Sequence, residues 1–92
     1  MVTWDEAKRQ LNLRNHGLDF VGCEAVFDGP VETWDDNREA YGELRINLLG
    51  LLNGVVVHMT YTERGDDLHV ISLRKAEKYE IRFFTQRLPH YQ

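Results

Sequence analysis

The sequence predicts a small α+β domain, an antiparallel sheet that carries two helices from the N-terminal part of the chain and one from its end. Three observations predict it. Apolar residues recur at helical spacing, with capping residues, over the first 28 positions. Alternation at period two then runs from Val31 to Leu73, interrupted by an Asn53-Gly54 dipeptide. Helical spacing returns after Arg74.

Met1–Trp4 reads as a short first strand. A helix follows from Asp5, or from Thr3 if Thr3 and Glu6 form a capping box, and ends at His16-Gly17, where glycine supplies a left-handed cap. A second, short helix is expected from Asp19 to Phe27. Phe20, Cys23 and Val26–Phe27 give its apolar face, and Asp28-Gly29-Pro30 stops it. Val31–Asp35 is a weak strand, followed by a polar loop through Glu43. Leu44, Ile46 and Leu48 alternate with Arg45 and Asn47 as a half-buried strand. Asn53-Gly54 is a two-residue hairpin signal, because both central positions of a type I′ turn need positive φ. Val55–Glu63 returns, with Val55, Val57, Met59 and Tyr61 on one face. A tight Arg64-Gly65-Asp66-Asp67 segment leads into a strand over Leu68–Leu73, and a last helix covers Lys75–Leu88, stopping before Pro89. The order is β-α-α-β-β-β-β-α.

Ninety-two residues make one domain, residues 1–92, with a modest buried fraction. No apolar run approaches the ~18 residues of a membrane span, and no charged-then-apolar leader is visible. The lone Cys23 has no disulfide partner in the chain, and no Cys/His spacing suggests zinc. These features point to the cytoplasm, with no membrane partner and no cofactor or metal. A net charge of −4 argues against constitutive, non-specific nucleic-acid binding. Charge is unevenly spread, however. Acids dominate the first half, whereas Arg74, Lys75, Lys78, Arg82 and Arg87 crowd the last helix and leave room for a local basic face.

Four segments could carry chemistry. Lys8 and His16 lie at the two ends of the first helix; a solvated lysine and a histidine placed to suit the helix dipole are the plain alternatives. Arg64 enters a tight turn after Tyr61-Thr62-Glu63, and an exposed turn arginine is its plain reading. Arg74 and Lys75 begin the last helix. If the Asp67 turn pairs the flanking strands, Arg64 and Arg74 stand at opposite ends of that hairpin, and only register and twist would bring them together. Two guanidiniums in one pocket would suit a phosphodiester, whose transition state gathers charge on its non-bridging oxygens. The last helix carries two apolar stripes, Ala76, Tyr79 and Phe83 on one side and Ile81, Phe84 and Leu88 on the other. One stripe covers the sheet, and the second is a candidate partner surface.

Taken together, these segments resemble the BrnT family of type II toxin–antitoxin modules. The likeness runs over nearly the whole chain. It includes Trp4-Asp5 and Lys8, Asn12 through His16-Gly17, Phe20 with Glu24-Ala25 and Val26-Phe27, and Arg45 with Gly50. It continues in Thr62 with Arg64, in Ile71-Ser72-x-Arg74-Lys75-Ala76, and in Glu80. The resemblance implies a RelE-like fold and a metal-independent endoribonuclease that halts translation. It also implies a ribbon-helix-helix antitoxin as partner, through which alone the chain would meet DNA. Carried onto this sequence, it makes Lys8, His16, Arg64 and Arg74 the catalytic candidates. The arginines would stabilise the charged transition state, and His16 or Lys8 would assist proton transfer. The alternative is a non-catalytic binding module of the same fold acting through the antitoxin. The two are separated by whether Arg64 and Arg74 converge on one cleft with a titratable neighbour.

Overall fold

In the computed structural model, which describes residues 1–37 and 42–88, five strands form one sheet in the order β1-β5-β4-β3-β2. These are β1 (Val2–Trp4), β2 (Val31–Asp35), β3 (Ile46–Leu52), β4 (Val55–Arg64) and β5 (Asp67–Lys75); the helices are α1 (Glu6–His16) and α2 (Lys78–Arg87). Strands β2 to β5 are antiparallel, but β1 runs parallel to β5 at the edge, so the sheet is mixed rather than purely antiparallel. The parallel pair follows from the connection: α1 carries the chain away from β1, and β5, the last strand in the chain, returns beside it in the same direction.

Each helix end has a local cause. Asp5, not Thr3, caps α1, accepting from the backbone N–H groups of Ala7 (2.9 Å) and Lys8 (3.3 Å). Gly17 closes it at φ 71°, donating its N–H to the Leu13 carbonyl. The expected second helix over Asp19–Phe27 is instead a 3₁₀ helix, Cys23–Asp28, preceded by Gly22 at φ 83°. The left-handed Gly22 breaks any α-helix begun at Asp19. Phe20, Cys23 and Val26 recur every third residue, which stacks them on one face at three residues per turn. All three are buried.

They close the core on one face of the sheet, against Leu48, Val57, Met59, Tyr61, Val70 and Leu73. Gly50 sits where a Cβ would come within 2.6 Å of Val26, so the 3₁₀ helix approaches β3 this closely only over a glycine. A bulge lets β5 serve this core. Pairing passes from Thr60↔Ser72 to Tyr61↔Val70 and leaves Ile71 extra. Val70 and Leu73 therefore both face the core, while His69, Ser72 and Arg74 share the other face with Thr62, Thr60 and His58.

Along its outer side β5 is covered by β1 only from Leu68 to Val70. At Leu73 the side chain of Asn12 takes over: its Oδ1 accepts from the Leu73 N–H (3.1 Å), and its Nδ2 donates to the Leu73 carbonyl (2.7 Å) and to that of Leu18 (3.0 Å). An amide thus stands in for a strand where the strand has run out.

The Asn53-Gly54 turn forms as expected, with φ of 52° and 78°. Leu44 was expected inside the next strand but precedes it and is exposed; its carbonyl accepts from the Thr62 hydroxyl at 2.7 Å. Nor is β3 half-buried, because Asn47 and Leu49 on its second face lie under 9% exposed, and Asn47 accepts from the Thr60 hydroxyl at 2.8 Å. The element covering that second face is α2. Its buried residues are Glu80 and Phe84, one turn apart, so Phe84, expected in the free stripe with Ile81 and Leu88, is used up inside the protein at 1% exposure. Pro89 lies outside the described residues. Among those residues no helix is long and apolar enough to cross a membrane.

Candidate active site

Arg64 is the last residue of β4, paired with Asp67 across a turn that holds Gly65 at φ 60°. Its side chain is half exposed, and Nη2 donates to Glu43 Oε1 at 3.3 Å. Two positions beyond Asp67 on the same face lies His69, a diagonal cross-strand neighbour of Arg64 at a backbone separation of roughly 7–8 Å. On its other side His69 pairs with Thr3 of β1, and Thr3 Oγ1 stands 2.9 Å from its Nδ1. Thr3, His69 and Thr62 thus make a row across three strands, with Arg64 beside it.

Lys8 lies in the first turn of α1. Burial first, then the positive charge of Arg64, depress the His69 pKa below the usual imidazole range; Glu43 and Asp5 pull the other way, and Lys8 lowers it least. A neutral imidazole beside a cation can accept a proton next to a bound anion.

The other candidates stand apart. His16 is exposed at the far end of α1, eight residues from Lys8 and about 12 Å along the helix. Arg74 pairs with His58 on the same sheet face as Arg64, but seven residues from Asp67 and so about 23 Å along β5. Its guanidinium is engaged by Glu80: Nη1 donates to Oε1 (2.7 Å) and Nη2 to Oε2 (3.0 Å), with a further bond from Nη1 to the Lys75 carbonyl. These bonds, with the Glu77 backbone N–H, hold the Glu80 carboxyl below its ordinary pKa despite burial. The same N–H completes a capping box with Glu77 at the start of α2. Arg74 and Glu80 thus fasten α2 to the sheet. Arg64 and Arg74 do not converge on one cleft, so the two-arginine site expected from the sequence does not form, and by that criterion the non-catalytic alternative gains; each arginine has titratable neighbours of its own.

Beside Arg74 and Glu80, α2 leaves a cleft of about 370 Å³ over β2 and β3, lined by Trp34, Leu49, Tyr79, Glu80 and Phe83. Among the described residues no three His, Cys, Asp or Glu side chains gather closely enough to hold a metal ion.

Compared with known protein families, residues 4–80 match the one described as ribonuclease toxin, BrnT, of type II toxin-antitoxin system. The chain belongs to the BrnT toxin family. A search among curated proteins finds no match. As a BrnT toxin the chain is a ribonuclease toxin by family and has an antitoxin as its implied partner. The matched span holds Lys8, His16, Arg64, His69 and Arg74, and ends at Glu80, within the first turn of α2. Ile81, Phe84 and Leu88 fall beyond it.

His69 is the candidate that reading the sequence missed. A signal was present: counting outward from the Arg64–Asp67 turn places position 69 on the face of Arg64, diagonally opposite it. Thr3, at the far side of the row, was hidden because nothing local announces a parallel partner 66 residues away.

Proposed function

We propose that this BrnT toxin is a metal-independent endoribonuclease that inhibits translation by cutting RNA, and that a ribbon-helix-helix antitoxin holds it in check. The observation that carries this reading is Arg64 placed diagonally across from His69 on one sheet face, a cation beside an imidazole that favours its neutral form. In the tautomer that donates Nδ1–H to the Thr3 hydroxyl 2.9 Å away, His69 keeps the Nε2 lone pair and removes the proton from an RNA 2′-hydroxyl. The 2′-oxygen bonds to the adjacent phosphorus, the bond from phosphorus to the 5′-oxygen breaks, and a 2′,3′-cyclic phosphate forms. The leaving 5′-oxygen takes a proton from Lys8, and Arg64 stabilises the charge gathered on the non-bridging oxygens. Of the candidates from the sequence, His16 receives no proton-transfer role, because it stands at the far end of α1, and Arg74 no role at the transition-state charge, because it is held by Glu80.

The test is cleavage of a mixed-sequence RNA by the free chain in EDTA. Arg64→Ala should lower the rate by about 10²–10³. Arg64→Lys should restore part of it, since a point charge replaces the guanidinium fork. His16→Ala should cut like the parent. Activity that vanishes with EDTA, or a folded Arg64→Ala variant that cuts as fast as the parent, overturns the proposal.

A further inference from the structure

We propose that the cleft between α2 and strands β2–β3 is a nucleobase site, which seats one base of a single-stranded RNA several nucleotides from the scissile phosphate. It rests on the reading of the chain as an RNA-cleaving toxin and adds where the substrate is gripped. The cleft's walls are aromatic and open. Trp34, Tyr79 and Phe83 remain 39%, 61% and 40% exposed, beside a Leu49 floor that is 1% exposed. Trp34 meets Phe83 nearly at right angles (71°, centroids 6.3 Å apart), so the two rings form a corner against which a flat base can stack. A volume of about 370 Å³ lies within the range of small-molecule sites.

The polar handle is Glu80, a carboxylate held in the cleft wall by Arg74 and suited to accept from a base's exocyclic amino group. At the end of α2 the Arg87 guanidinium stacks over the Phe83 ring at 4.5 Å, whereas Lys78 and Arg82 line a separate hollow with Ile81 on another side of the helix. Stacking surfaces with a cation on their wall match a base and its phosphate. An apolar protein segment would use the rings but offer Arg87 no anionic partner. The cleft opens on the sheet face that carries His69 and Arg64, about 16 Å and about 23 Å away along β5, so a strand crossing this face meets both.

The experiment uses a 2′-O-methyl RNA hexamer, which lacks the attacking hydroxyl and is bound without being cut. The chain has two tryptophans, and in the Trp4→Phe variant Trp34 alone reports. Titration should quench Trp34 fluorescence to saturation. Tyr79→Ala and Phe83→Ala, in the same background, should each raise Kd by about 5–100-fold. For an unmodified substrate, both variants should raise KM by a similar factor. An unchanged Kd in both folded variants overturns the base site and leaves the cleavage proposal standing, whereas a parent that binds the hexamer through the cleft but never cuts RNA does the reverse. Variants that weaken only the antitoxin complex would make the cleft a protein-docking groove, and a parent that does not bind the hexamer overturns the base site.

Discussion

Replacing Asn12 with alanine removes the stand-in for a strand beside β5. Asn12 is 6% exposed, and its amide satisfies both backbone groups of Leu73 and the Leu18 carbonyl. Without it the Leu73 N–H and C=O lose their partners under α1. A buried backbone group left without a partner costs about 1–3 kcal/mol, so the two together cost roughly 2–5 kcal/mol. Alanine returns about 0.5 kcal/mol through its higher helix propensity. The net loss is about 2–4 kcal/mol, roughly 10–25 °C in Tm for a domain this small. Urea unfolding followed by circular dichroism should show a lower midpoint with an unchanged slope, and amide exchange at Leu73 should speed up. Asn12→Asp keeps the acceptor, loses the donor and brings in a charge, so it should be at least as damaging at pH 7. A loss below about 0.5 kcal/mol, or unchanged Leu73 protection, would refute this account of the β5 edge.

Gly50→Ala should destabilise the domain by about 1–3 kcal/mol, because the added methyl meets buried Val26 and the 3₁₀ helix must move away from β3; a denaturation midpoint equal to the parent's would contradict that contact. Gly54→Val places a β-branched residue at φ 78° and should cost on the order of 1–2 kcal/mol while RNA cleavage, assayed below the unfolding transition, is unaffected.

What could be read in the sequence was local. Asp5, Gly17 and the Asn53-Gly54 turn announce themselves through cap and turn chemistry that involves only near neighbours. The apolar recurrence of Phe20, Cys23 and Val26 was visible too, but a spacing of three fits an α-helix and a 3₁₀ helix alike, and the left-handed Gly22 decided between them. What stayed hidden depends on partners distant in the chain. The parallel pairing of β1 with β5 makes the sheet mixed and sets Thr3 against His69. The ion pair of Arg74 with Glu80 turns α2 so that Phe84 faces inward, while Tyr79 and Phe83 stay outside. Opposite-end placement of Arg64 and Arg74 was legible from the hairpin alone. That Arg64 has His69 diagonally beside it, and His69 has Thr3 on its other side, was not.

The central claim is that His69 acts as the base beside Arg64, and the pH dependence of cleavage tests it most directly. Burial and the charge of Arg64 favour the neutral imidazole, so the folded His69 pKa lies below its usual 6.5. As pH rises through that value the imidazole loses its proton and becomes able to accept one. Single-turnover cleavage in EDTA should therefore rise with pH, reach half its maximum below pH 6.5, and level off by neutrality. Glu43→Gln removes a charge that holds the His69 pKa up and should move the midpoint lower still. His69→Gln should lose most of the rate and, with it, the acidic limb of the profile. A rate that does not change between pH 5 and 7, or a folded His69→Gln variant that keeps both the rate and the limb, would contradict the account.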